Sequence, residues 1–223
     1  QFENDYPFSI IGGYTGSGKT LLLHELQKQN KTVIDLEALA NHKGSAFGAV
    51  KEKSQPGQEM FENMLAESLF VACCLLTETP NHLQATAIFI EDESQRIGNL
   101  QIPMPLWRTM RKSPVYFLDI PFNERLKYIT KEYGKLEKEY LEEAICRIQK
   151  RLGGLETKNA LNYLQEGKIK KCFGILLRYY DKWYQKGLYN RENLSSLLNK
   201  IPCTGVDTKT NTKKLLSCNI VSA

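Results

Sequence analysis

Apolar residues follow two rhythms along this chain. In the first half they fall in short blocks: Phe8–Ile11, Thr32–Leu36, Ala87–Ile90 and Val115–Ile120. The first block runs into Gly12-Gly13, the second is closed by Asp35 and Glu37, and the third ends in Glu91-Asp92-Glu93-Ser94. Short apolar blocks bounded by turn formers predict buried strands. Between them, Thr20–Gln27 places Leu22, Leu23 and Leu26 on one helical side, and Phe61–Thr77 is apolar and helical. Strands alternating with helices predict βαβ units and a mainly parallel sheet flanked by helices. In the second half, Leu126, Ile129, Tyr133, Leu136, Tyr140, Ala144, Ile148 and Leu152 recur at three- and four-residue steps. That spacing predicts one long amphipathic helix, stopped at Gly153-Gly154. Two more helices are expected near 157–166 and 168–186. Residues 41–58, rich in Gly, Ser, Gln and Pro, read as a long loop of the kind that covers a site. The polar stretch from Pro202 reads as loose. The expected organisation is an α/β domain over 1–121, a basic helical lobe over 122–200 and a flexible tail over 201–223.

Composition narrows the setting. The chain has 223 residues, 42% hydrophobic and 25% charged, which suits a globular protein with a core. No apolar run approaches the roughly 20 residues of a membrane span, and no signal peptide opens the chain. Gln1 as first residue reads as a piece of a longer protein. Six cysteines without a C-x-x-C pair read as reduced thiols in a cytoplasmic protein, and no membrane partner is expected. Charge is divided unevenly. Residues 1–107 hold 7 Lys/Arg against 13 Asp/Glu, net −6, whereas residues 108–200 hold 20 against 11, net +9. A basic half suits a polyanionic partner or, equally, a solvated helical surface.

The strongest chemical signal is local. Gly13-Tyr14-Thr15-Gly16-Ser17-Gly18-Lys19-Thr20 fits G-x-x-x-x-G-K-[ST] in full, after a predicted strand and opening a predicted helix. Glycines let the backbone N–H groups of Gly13, Thr15, Gly16, Ser17 and Gly18 curl around phosphate oxygens, and the helix N-terminus adds a favourable dipole. Lys19 supplies a point charge, and Thr20 offers a hydroxyl to Mg2+. The expected fold is therefore P-loop NTPase-like α/β with a C-terminal helical lobe. Glu91 and Asp92, at the end of the third strand, stand where a metal-facing carboxylate belongs; the sequence does not choose between them. With Lys19 they are the candidate catalytic residues, and Thr20 and Asp92 the candidate metal ligands. Asp35 and Glu37 stand where small P-loop kinases hold an acceptor, a position that ordinary turn chemistry also explains.

Several stretches together resemble one family, the P-loop domain of tRNA 2-selenouridine synthase. They are Gly12–Thr20, Asp35-Leu36-Glu37, Ala40–Gly48, Gln55-Pro56, Phe61-Glu62-Asn63, Glu91–Ser94, Ile97-Gly98 and Ile102-Pro103. The helical part adds Arg151-Leu152-Gly153-Gly154 and Tyr179-Tyr180-Asp181-x-x-Tyr184. The resemblance implies a transferase acting on the wobble uridine of tRNA. It would geranylate 2-thiouridine with geranyl diphosphate, then exchange sulfur for selenium from selenophosphate. Both co-substrates are phosphorylated small molecules, which suits a P-loop, with Mg2+ as the accompanying ion. The family also implies a rhodanese-like domain carrying a cysteine, absent upstream of the P-loop here and so supplied in cis by a longer chain or in trans. Lys43 stands where the family has arginine, keeping the charge but losing the two-pronged grip.

On this resemblance the substrate-binding candidates are Asp35, Glu37, His42, Lys43, Gly44, Ser45, Phe47 and Arg96. His42, Lys43 and Ser45 lie in a glycine-punctuated loop that either donates to a second phosphate or is a structural loop capped by His42. Phe47 reads as a packing anchor or a stacking platform. Arg147 and Arg151, one helical turn apart, with Lys150, Lys170 and Lys171, are candidates for tRNA phosphates, and Tyr180 for a base. Two other readings stay open: an ATP-dependent small-molecule kinase, and a non-catalytic tRNA-binding module.

Overall fold

A computed structural model describes residues 2–42, 54–78 and 87–218. The chain runs β1 (Phe8–Gly12), α1 (Lys19–Lys28), β2 (Val33–Ile34), α2 (Leu36–Leu39), α3 (Gln58–Glu78), β3 (Ile88–Glu91), β4 (Arg96–Ile97) and β5 (Leu100–Gln101). It continues through α4 (Met104–Lys112), β6 (Val115–Asp119), α5 (Phe122–Tyr133), α6 (Lys138–Leu152) and α7 (Gly154–Gln165). The last elements are α8 (Ile169–Tyr189), α9 (Leu194–Leu197), β7 (Leu198–Pro202) and α10 (Thr208–Ser217).

Five strands form one parallel sheet in the order β2-β3-β1-β6-β7. Every residue of β1 is buried, as expected for the middle strand of a sheet covered on both faces. Successive side chains on a strand point to opposite faces, and two apolar layers result. Phe8, Ile10, Ile88, Ile90, Val115 and Phe117 face α3, which contributes Phe61, Leu65 and Leu69. Ile11, Phe89, Tyr116, Leu118 and Ile201 face α1 and α10 through Leu22, Leu23, Leu26 and Leu215. A third, separate apolar cluster lies inside the lobe, built from Leu126, Ile129, Leu141, Ala144, Ile145, Ala160, Leu164, Phe173, Leu176 and Leu177.

Three expectations are corrected. The long helix over 126–152 is two helices, α5 and α6, broken at Gly134 to Glu137; the apolar spacing runs on because both present one face to the same lobe core. The loose tail is part of the fold. β7 adds a fifth strand, pairing Phe117 with Lys200, and Asp207 caps α10 by accepting from the Thr210 N–H at 2.7 Å. Its polar composition hides the few positions that matter, Ile201, Cys203 and Leu215, all buried. The boundary expected at 200/201 thus cuts through a strand. Finally, Gln58–Thr77 is 20 residues at mean hydropathy 1.4, long and apolar enough by length and composition to cross a membrane. Here it buries Phe61, Leu65, Leu69 and Ala72 against the sheet layer and leaves Phe70, Val71 and Leu75 exposed.

Candidate functional site

The β1 strand delivers the chain to the loop Gly13–Gly18, and α1 begins at Lys19. Gly16 and Gly18 have φ of 78° and 76°, a left-handed conformation that side chains with a Cβ rarely adopt. Gly16 also lies so close to α5 that a Cβ there would meet Ile129 Cδ1 at 2.6 Å. The loop is held from outside. Its Gly13 N–H donates to the Tyr184 hydroxyl at 3.1 Å, and its Thr15 carbonyl accepts from Arg125 Nη1 at 3.0 Å. Lys19 Nζ donates to the Gly13 carbonyl at 3.0 Å and stands 5.6 Å from the Tyr184 ring centre. An ammonium has three N–H donors, so others remain for phosphate oxygens.

Beside the loop lie three carboxylates. Thr20 Oγ1 donates to Glu37 Oε2 at 3.1 Å, and the Glu37 N–H donates to Glu91 Oε1 at 3.1 Å. One oxygen from each of Glu37, Glu91 and Glu93 falls within 4.8 Å of the others. Glu91 is fully buried, and its Oε2 has no hydrogen-bond partner. Burial first, then the charges of Glu93 and Glu37, raise the Glu91 carboxyl well above the usual range. Burial and Glu37 push Glu93 up to about 8. An orphaned buried oxygen among hard oxygen donors fits Mg2+, which prefers carboxylates and hydroxyls to nitrogen or sulfur.

Asp92 is not part of this trio. Its Oδ2 accepts from the Tyr184 hydroxyl at 2.7 Å and its Oδ1 from Arg191 Nη2 at 2.9 Å, in a buried ion pair. The reason is strand alternation: Glu91 and Glu93 share one side, and Asp92 points to the other. Asp92, expected as a metal ligand, thus stands apart from the three grouped carboxylates, its oxygens each accepting from Tyr184 or Arg191. Burial and the Asp92 charge raise the Tyr184 pKa well above its ordinary value, so the phenol stays protonated and donates. A second, partly buried pair sits nearby: Arg125 binds Asp181 through two bonds of 2.8 Å and also donates to the Ile120 carbonyl at 3.1 Å.

The P-loop and the lobe enclose a cleft of about 1460 Å3. Its floor is Ser17 to Thr20 with Glu37, Glu91 and Glu93; its wall includes Ile129, Tyr133, Leu136, Phe173, Leu176 and Leu177. Of the remaining expected site residues, Asp35 caps α2, accepting from the Ala38 N–H at 2.8 Å, and pairs with His24 at 3.0 Å. His42 bonds through its N–H to the Glu37 carbonyl, and exposed Arg96 donates to the Gly98 carbonyl at 2.9 Å within the β4–β5 hairpin. None of these three lines the cleft. Lys43, Gly44, Ser45 and Phe47 lie outside the described residues.

The basic candidates separate. Arg151 and Tyr180 line the cleft, whereas Lys150 lines a different, shallow groove between α6 and α7. Arg147 stacks at 5.7 Å on Tyr140 and Lys171 at 5.4 Å on Tyr163, with Lys170 exposed on the lobe. Sequence reasoning missed Glu93, Arg125 and Arg191 as site residues. The Tyr179-Tyr180-Asp181-x-x-Tyr184 stretch was the signal for Asp181 and Tyr184, since both reach the P-loop side.

Comparison with known proteins bears on this geometry. The profile of the tRNA 2-selenouridine synthase AAA domain matches residues 6–200. The tRNA 2-selenouridine synthase of Marinobacter nauticus is 32% identical over 83% of this chain and 55% of its own length. That of Shewanella sediminis is 34% identical over 84% of this chain and 55% of its own. That of Serratia proteamaculans is 40% identical over 58% of this chain and 31% of its own. The chain spans about half the length of the curated relatives it matches.

Proposed function

The chain belongs to the tRNA 2-selenouridine synthase family, as its AAA domain, and we propose that its cleft holds geranyl diphosphate for transfer to the sulfur of a wobble 2-thiouridine in tRNA. One observation carries the reading: a phosphate-binding floor and an apolar wall meet in a single cleft. The diphosphate lies on the P-loop, where Lys19, the loop N–H groups and the N-terminus of α1 oppose its charge. The prenyl chain lies along the partly exposed part of the wall, Tyr133, Leu136 and Tyr180. As the sulfur bonds to the first prenyl carbon, negative charge grows on the departing diphosphate, and donors already fixed around it stabilise that change most. Thr20, Glu37, Glu91 and Glu93 would hold Mg2+, which when bound supplies further charge neutralisation to the leaving group. Selenophosphate, the second co-substrate, shares the phosphate that the floor recognises. Its use would call on the remainder of the full-length relatives.

The test is direct. The chain is incubated with 2-thiouridine tRNA, geranyl diphosphate and Mg2+, with and without the remainder of a full-length relative, and the nucleosides are analysed by mass spectrometry. Geranylated 2-thiouridine is expected in at least one of the two mixtures. Its absence from both overturns the reading, as does ATP turnover without binding of geranyl diphosphate.

A further inference from the structure

Trp183 stands at the cleft mouth on α8, 43% exposed, which is unusual for the largest apolar side chain. It is not isolated. Tyr179, one turn earlier, meets it edge-on with ring centres 6.4 Å apart. Lys186, on the same helical face, places its ammonium 5.4 Å from the indole, and Arg151, from the last turn of α6, stands 5.9 Å away. Both distances lie at the outer end of the cation–π range, so these contacts are weak and yield to a better-stacked ring. Arg108, Arg111 and Lys112 of α4 line the same cleft, and Arg111 is tied to α8 by donating to the Gly187 carbonyl at 2.9 Å. Glu132 and Glu192 are the acids that share this part of the lining. An exposed π-face flanked by two cations, in a cleft with a phosphate-binding floor that three further cations line, Arg111 among them over Trp107, matches one chemistry: a base with phosphates on either side.

We propose that Trp183 is the stacking platform on which single-stranded RNA enters the cleft, with Arg151, Lys186 and the α4 cations holding the flanking phosphates. This rests on the reading of the cleft as the site of tRNA modification and adds the path of the RNA to it. The RNA crosses the cleft mouth, not the outer lobe face that carries Arg147, Lys150, Lys170 and Lys171. A base flanking the target uridine stacks on the indole, which leaves the uridine free to point toward the floor. Duplex RNA keeps its bases stacked inside and gains nothing from the platform.

Tryptophan fluorescence tests this, because the chain has 2 tryptophans, Trp107 and Trp183. An RNA stem-loop with a uridine in its loop should quench the emission of the chain, and a blunt duplex of the same stem should not. In Trp183→Phe most of the quench should vanish, any remainder coming from Trp107 beneath Arg111 in the same cleft, while most affinity stays, since phenylalanine still stacks. In Trp183→Ala affinity should fall about tenfold. Reversing Arg151 and Lys186 to Glu should flatten the salt slope by about 1.4, two phosphates at roughly 0.7 each. Inorganic diphosphate binding, measured by calorimetry on each variant, reports the P-loop independently. Loss of RNA affinity with diphosphate binding retained supports the platform. Unchanged RNA affinity in Trp183→Ala overturns it, as does loss of binding only when Arg147, Lys150, Lys170 and Lys171 are reversed. If the unmodified chain fails to bind diphosphate, the phosphate-floor reading falls, while the RNA titration still decides the platform.

Discussion

The sheet half and the helical lobe are built on different terms. Residues 1–107 are acidic, net −6, and the apolar layers lie directly on both faces of a parallel sheet that β6, β7 and α10 complete. Residues 108–200, which supply the lobe together with β6 and the start of β7, are basic, net +9, and the lobe encloses a core of its own. The polar contacts that join the lobe to the P-loop side are these: Arg125, itself held by Asp181, donates to the Thr15 carbonyl, the Tyr184 hydroxyl accepts from the Gly13 N–H, and Arg191 and Tyr184 hold Asp92. Apolar packing tolerates small slides, whereas charge-assisted hydrogen bonds fix distance and angle more closely. The lobe thus gives the wall its shape, and these polar contacts set where that wall stands relative to the floor.

The largest effect should come from breaking this join. Arg125→Ala leaves Asp181 without its partner and frees the Thr15 and Ile120 carbonyls, and should cost about 3–5 kcal/mol of stability in urea unfolding. Arg191→Ala should cost a similar amount. A loss below about 1 kcal/mol in both would mean that apolar contacts alone hold the lobe in place.

Next in size is the floor itself. Lys19→Ala should lower diphosphate affinity by about 1.5–3 kcal/mol, roughly ten- to a hundredfold in calorimetry, with little change in unfolding. Loss of stability on that scale would make Lys19 part of the join instead.

A third prediction concerns pH. The Glu93 carboxyl is raised to about 8 in the folded chain, so the folded state holds a proton that the unfolded state releases at ordinary carboxylate pH. The contribution of Glu93 to the stability of the metal-free chain is therefore fullest below the ordinary carboxylate range and declines as pH rises toward 8. Glu93→Gln should flatten that decline, and added Mg2+ should oppose it most at the high-pH end, since ligand carboxylates must be deprotonated to bind. Melting temperatures from pH 5 to 8, with and without Mg2+, check both. A decline that survives Glu93→Gln unchanged assigns it elsewhere.

The smallest effect belongs to the wall. Leu136→Ala should weaken geranyl diphosphate by about 1–2 kcal/mol and leave inorganic diphosphate unaffected. Equal losses for both ligands would mean that the wall is felt only through the floor.

The two halves also differ in how much of them the sequence discloses. The floor is a contiguous motif, Gly13 to Thr20, whose residue types are each dictated by backbone geometry, so it is legible without a structure. The parallel sheet follows from alternation. The join is not legible, because Thr15 and Arg125 are 110 residues apart, and Asp92 and Arg191 are 99 apart. The choice among Glu91, Asp92 and Glu93 needs the phase of β3, which four polar residues in a row conceal. The break between α5 and α6 is masked because the apolar spacing is continuous across it. β7 and α10 are masked for the opposite reason: only a few buried positions, such as Ile201 and Leu215, interrupt a polar stretch.

Calorimetry of the chain with geranyl diphosphate, inorganic diphosphate and ATP, each with Mg2+, tests most directly whether floor and wall act as one site. Burying even part of a prenyl chain is worth well over 1 kcal/mol, so geranyl diphosphate should bind at least about tenfold tighter than inorganic diphosphate and tighter than ATP. Equal affinity for the two diphosphates, or tighter binding of ATP with its hydrolysis, would contradict the account.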